Sequence, residues 1–367
     1  MKTAMTGLLC AALLVSAPAG TREESAPLRR IADMNVARAA HQATLLDSGH
    51  VLVTGGCGEG CDAKHASAEL FDPQSDTFAA TASMATPRAS HTATRLNDGR
   101  VLVAGGWADR EVVNSAEIFD PATRRFTPAD DMTAARAGHA AVRLPDGRVL
   151  LAGGESATNA SLASTEIFDP ATGTFSPGAR MRTPRNSHVA VALADGRVLV
   201  AGGHSARGKI LRSAEIFDPR NGKFVPTGDM KIARHKFAAI RLRNGKVLVV
   251  GGSDARDHDG RMRSTEIFDP ESGRFAAGPD MRQARHKIED ALVMLPSGRV
   301  LVAGGAPHPE VYDPRAGKFT MSDGTFGGER MFATATRLGD GRVLILGGYD
   351  ERIRTSNAAW LHAAGKK

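Results

Sequence analysis

Short unbroken apolar runs recur along this chain, each closed by a pair of glycines. The runs follow the pattern Val-Leu-Val-x-Gly-Gly and end at Gly55-Gly56, Gly105-Gly106, Gly153-Gly154, Gly202-Gly203, Gly251-Gly252, Gly304-Gly305 and Gly347-Gly348. That makes seven copies, spaced 43 to 53 residues apart. After each of the first six stands Glu-Ile-Phe-Asp-Pro or a near variant, from Glu69-Leu-Phe-Asp-Pro to Glu310-Val-Tyr-Asp-Pro. Apolar runs of four or five residues bounded by Gly and Asp-Gly signals read as buried strands, too short for core helices.

Residues 136–181 show one complete unit. His139 to Leu144 reads as strand a, and Pro145-Asp146-Gly147 as a turn into strand b at Arg148 to Ala152. Strand c is expected from Ser164 to Phe168, and the Asp169–Gly173 segment as a turn with proline early and glycine late. Strand d then runs from Phe175 toward Met181. A four-stranded unit at this period cannot bury both faces alone, so the units must stack around an axis as propeller blades.

The chain ends decide blade number. Phe78, Phe126, Phe175, Phe224 and Phe275 each precede a methionine by six residues, and Leu28 and Met34 show the same spacing. Residues 28–34 therefore read as a strand d without its own blade. At the other end, Ser356 to His362 aligns with Ser164 to Pro170, which puts Trp360 at the strand-c phenylalanine position before the chain runs out. The expected fold is all-β: a seven-bladed propeller of four antiparallel strands per blade, closed by the N-terminal strand joining the last blade. Closure removes the exposed strand edges of an open ring.

The first residues change the picture of where this ring works. Lys2, an apolar stretch from Met5 to Val15 and Ala17-Pro18-Ala19 read as a signal peptide over 1–19. A short linker (20–27), the propeller (28–362) and a tail (363–367) complete the expected domains, and the chain is expected in the periplasm or outside the cell. Losing Lys2 takes the formal net charge from +7 to +6, which favours acidic partners without defining a site. No basic arm or recognition helix suggests nucleic acid. Cys57 and Cys61 flank a Gly-rich turn, and in an oxidising compartment they are expected to form a disulfide. His65 alone nearby makes a poor ligand set, so no metal and no cofactor is expected.

The doubled glycines, the downstream aromatics and the Met-x-x-x-Arg-x-x-His run before strand a resemble the kelch family of β-propellers over residues 28–362. The resemblance implies a bacterial exported kelch-repeat protein. The leader is too short for a membrane span and lacks a stop-transfer pattern, so no span is expected in the mature chain, which is expected to be a monomer. The copper radical oxidase branch of kelch-like propellers needs a tyrosine joined to a cysteine. The only tyrosines here are Tyr312 and Tyr349, with neither remaining cysteine in a comparable setting, which argues against that chemistry.

One face should carry the d–a and b–c loops, and it receives Arg38, Arg88, Arg136, Arg185, Arg234, Arg285 and Arg330, one per blade. Glu69, Glu117, Glu166, Glu215, Glu266 and Glu310 recur as regularly in strand c, so internal pairing is the reading for most of them. Irregular positions are more informative. Histidine opens strand a at His41, His91, His139 and His188, but Phe237, Asp290 and Ala333 stand there in blades five to seven. Blade six has a b–c loop cut to Ala306–Pro309 beside a long one in blade five, containing Asp254, Arg256, Asp257, His258 and Asp259. A notch is expected there, lined by Arg234, His235, Lys236, Arg285, His286, Lys287, Glu289, Asp290 and Arg330 as candidate ligand-binding residues. No catalytic residue is assigned, and the chain is read as more a binder than an enzyme. The functional expectation is an interaction module for a protein or an acidic carbohydrate. The alternatives are an enzyme on acidic sugars, as in kelch-like propellers that interconvert sialic acid anomers, and a structural surface protein without a specific ligand.

Overall fold

The computed structural model describes residues 27–205 and 208–363. The expected leader, most of the linker and most of the tail lie outside the described residues. Seven four-stranded antiparallel sheets surround one axis. Blade three comprises Ala140–Arg143, Val149–Ala152, Thr165–Asp169 and Thr174–Pro177. Strand d stops at Pro177, short of the expected Met181, and Met181 Nα instead donates to Ala163 O as the chain crosses to the next blade.

Each sheet is built outward from the axis. Strand b is wholly buried, as Val149–Ala152 shows, because neighbouring blades cover both of its faces. In strands c and d the paired aromatics Phe168 and Phe175 stand directly opposite each other, ring centroids 4.9 Å apart. The same pair recurs from Phe71 and Phe78 to Tyr312 and Phe319. The methionine after strand d packs in the same interblade core, where Met34 joins Val51, Leu344 and Leu361. At the doubled glycine, a Cβ on Gly153 (φ +63°) would stand 2.4 Å from Arg185 O of the next blade. Both the left-handed backbone and the close approach require glycine there.

The ring closes as expected. Leu28–Arg30 pairs antiparallel with Ala359–His362, Leu28 opposite His362 and Arg30 opposite Trp360. The expected alignment of the last strand is off by two residues, however. Val149 faces Phe168 in blade three, whereas its counterpart Val343 faces His362 in blade seven. His362 thus takes the phenylalanine position and Trp360 the glutamate position. A shift of two leaves every side chain on its original face, so the apolar pattern is silent about it.

Candidate functional site

Six of the seven arginines sit inside the blades. Arg38, Arg88, Arg136, Arg185, Arg234 and Arg285 are each 0% exposed. In blade three Arg136 donates to Gly153 O, Ser164 O and Glu166 Oε1, and Glu166 accepts the backbone N–H groups of Thr133 and Ala134. The ion pair therefore pins the incoming d–a connection to strand c. Arg234 and Arg285 do the same with Glu266 and Glu310, at 3.1 and 2.9 Å. They are withdrawn from the candidate site, because a guanidinium fully buried and ion-paired inside its own blade is out of a ligand's reach. Arg330 differs. With Trp360 at the glutamate position, its guanidinium lies over the indole, 5.5 Å from the ring centroid. A cation–π contact stands where the other blades have an ion pair.

The histidines opening strand a are structural as well. Burial, with nearby arginines adding to it, holds His91 and His188 down at about 3, so both are neutral at any physiological pH. His91 and His139 bond the hydroxyls of Thr54 and Thr92 in the preceding blade. In blade six the expected match to Asp290 is corrected. Ile288, three residues after Arg285, fills the histidine slot, as its Cγ2 lies 2.6 Å from where a Cβ on Gly305 would be. Glu289 and Asp290 are therefore a two-residue insertion, and they face the bore.

Seven backbone bonds encircle the mouth of that bore. Ser90 N–H donates to Ala40 O, Gly138 to Ser90, Ser187 to Gly138, Lys236 to Ser187, Lys287 to Lys236, Phe332 to Lys287 and Ala40 to Phe332. All seven residues have left-handed φ, between 46° and 56°. Below the ring lies a cavity of about 310 Å³ lined by Gln42, Thr92, Glu289 and Asp290 among others. Asp290 Oδ2 accepts Gln42 Nε2 across it at 2.9 Å. Water reaches these carboxyls through the bore, yet protein surrounds them. Burial pushes Glu289 up to about 7, Asp290's charge adding to it, and Asp290 is raised by the same enclosure.

The notch expected over blade six is filled. Blade five's long loop turns through Asp257–Gly260 and straps across the gap. Asp257 accepts both Lys236 and Lys287, at 2.9 and 3.1 Å, and Arg261 pairs with Glu329 before blade seven. Partial burial would push Asp257 up, but the two lysines hold it well below the usual carboxylate range. His235 bonds Ser253 Oγ, and His286 is buried edge-on against His258, centroids 5.5 Å apart. The nine expected site residues thus divide into buried arginines and histidines, Arg330 over Trp360, a lysine pair bridged by Asp257 beside the ring and two acids in the bore.

Sequence reasoning missed the hollow on the other side of the mouth. Cys57, Cys61, Lys64, Trp107, Asp109, Phe332, Tyr349 and Ile353 line a concavity of about 320 Å³ on the d–a and b–c loop face. The structure bonds Cys57 to Cys61, Cα atoms 4.7 Å apart, which shapes one wall. Trp107 opens a small hairpin with Glu111–Val112 that forms another. Ile353 is 43% exposed at the rim. The signal was available: the residue after the doubled glycine reads Cys57, Trp107, Glu155, His204, Ser253, Ala306 and Tyr349. Its large aromatics fall in blades two and seven, either side of the cystine.

A ring of seven four-stranded blades with this glycine pair and arginine strut defines a kelch-type propeller. The Kelch motif model matches residues 87–133, 135–182, 185–231 and 236–282, about half of the chain, and the chain belongs to the kelch-repeat family. No curated protein matches the sequence. Among solved structures, a fungal alcohol oxidase of the AA5 family in complex with copper is similar in fold, with TM-score 0.70 and 17% identity over 93% of this chain and 76% of that one. The residues here do not fit the tyrosine–cysteine centre considered from the sequence. Tyr312 is buried in strand c, and both described cysteines are bonded to each other.

Proposed function

We propose that this protein is an exported binding module that docks a protein partner on its d–a and b–c loop face, seating an apolar side chain in the hollow between Trp107 and Tyr349. One observation carries the reading: at the position where the other blades place small or polar residues, two aromatics and a cystine enclose an open concavity. Apolar and aromatic walls with a few polar groups at the rim are what an anchoring side chain needs. Lys64 and Asp109 supply that rim. The apolar leader supports export, and the fold supports protein binding, since kelch propellers commonly bind proteins.

An acidic carbohydrate is less well served. Lys236 and Lys287 already share Asp257, and the bore beneath them holds two carboxyls. An added anion would compete with Asp257 for the two lysines above and meet acids below.

The test is selection of peptides from a displayed random library on the immobilised protein. Enriched peptides are expected to carry an aromatic or branched aliphatic anchor. They should bind an Arg243→Ala variant, altered on the opposite face, as they bind the parent, and lose at least ~30-fold for Trp107→Ala, the ~2 kcal/mol of a hot-spot residue. Equal binding to both variants refutes the proposal.

A further inference from the structure

Among the described residues, one cluster of metal-ligating side chains lies beside the strap over blade six, outside the hollow. His258 lies in the strap, Glu329 in the d–a connection before blade seven, and Glu351 in the b–c loop of blade seven. One ligand atom from each lies within 4.8 Å of the others. Glu329 is only 9% exposed; Arg261 holds its Oε1, and its Oε2 has no partner. A buried carboxylate oxygen without a donor costs free energy unless a cation or proton meets it. Beneath the cluster His286 is fully buried with both ring nitrogens unpartnered, edge-on to His258.

We propose that His258, Glu329 and Glu351 bind one first-row divalent transition cation of the Zn²⁺ class, which clasps blade five's strap to blade seven over the shortened loop of blade six. One imidazole and two carboxylates suit such an ion and leave at least one coordination position open. Arg261 orients the Glu329 carboxylate from its far oxygen, as a hydrogen-bonded outer partner does for a ligating group. The small loops of blade six explain why a clasp is placed here: its b–c loop is too short to form the backbone bridge that joins Ser253 to His235 in blade five or Tyr349 to Met331 in blade seven. The three residues come from three separated loops, so no spacing in the sequence announces them. The site lies on the loop face outside the bore and is independent of the peptide-docking hollow.

The experiment titrates zinc chloride into the chelator-stripped full chain by calorimetry, with metal content of the dialysed protein measured in parallel. One Zn²⁺ per chain with a micromolar or tighter dissociation constant is expected. Exposed Glu351→Gln, which leaves the fold intact, and His258→Ala should each weaken binding at least ~10-fold, the lower end for disturbing a metal ligand shell. His308→Ala, an exposed histidine elsewhere, should bind as the parent does. Zinc should also slow tryptic cleavage after Arg256, and Glu351→Gln should abolish that protection. Absent or non-stoichiometric binding, or parental affinity in both Glu351→Gln and His258→Ala, overturns the site.

Discussion

Blades two to five and blades six, seven and one follow the same four-strand plan but differ in what departs from it. The first arc is the part the Kelch motif model matches, and its arginine, glutamate, glycine pair and aromatic pair repeat at nearly the same distances. Each blade of the second arc departs from the plan in its own way. Blade six inserts Glu289 and Asp290, blade seven exchanges an ion pair for Arg330 over Trp360, and blade one carries the Cys57–Cys61 turn. Residues that repeat serve the repeat. The departures gather on one side of the ring, where the hollow, the bore acids and the proposed cation site lie, bordered by Trp107 and the blade-five strap.

The largest effect should come from the regular arc. Glu166→Ala leaves Arg136 buried without its carboxylate and should cost about 3–5 kcal/mol in urea unfolding. Its counterpart across the ring, Arg330→Met, removes a cation–π contact and two bonds to the carbonyls of Phe326 and Glu329 but strands no buried carboxylate, and should cost about 1–2 kcal/mol. Equal losses would erase the distinction between the arcs. Next, Cys57→Ser should cost about 2 kcal/mol, the chain-entropy value for a bridge of sequence separation 4, and should weaken peptide docking because the hollow loses a fixed wall.

A pH-dependent effect belongs to Glu289. Its carboxyl titrates higher in the folded ring than in the unfolded chain. Its contribution is therefore whole below the ordinary value of 4.5 and is lost as pH rises through about 7. The unfolding free energy of the parent, from urea titrations, should fall over that window by at most about 1.4 kcal/mol per pH unit from this group. Glu289→Gln should flatten the fall, and an unchanged slope would remove the bore acid from the account.

Most of the fold was legible because period, glycine pairs and strand-b runs all answer to burial. The arginine–glutamate struts were legible too, as two residue types recurring in step. What failed was local counting. Aligning Trp360 with phenylalanine respected the strand's facing and missed a two-residue slip, and counting back from strand a put Asp290 in a slot that Ile288 fills. The notch was inferred from loop lengths, but whether a long loop stands beside a gap or crosses it depends on contacts such as Arg261 with Glu329, which no single segment encodes. The hollow escaped because its walls come from blades one, two and seven, and ring closure alone brings blade seven beside the other two.

The claim that the irregular arc carries the binding surface is tested most directly by site-specific photo-crosslinking. A benzophenone amino acid is placed at Ile353 in the irregular arc, at Thr158 on the same face of blade three, or at Arg243 on the opposite face, and each protein is irradiated in extract of its host cells. The account predicts a discrete protein adduct from position 353 that is absent from 158 and 243 and is lost when Trp107→Ala is added. An adduct from 158 or 243 with none from 353 would contradict it.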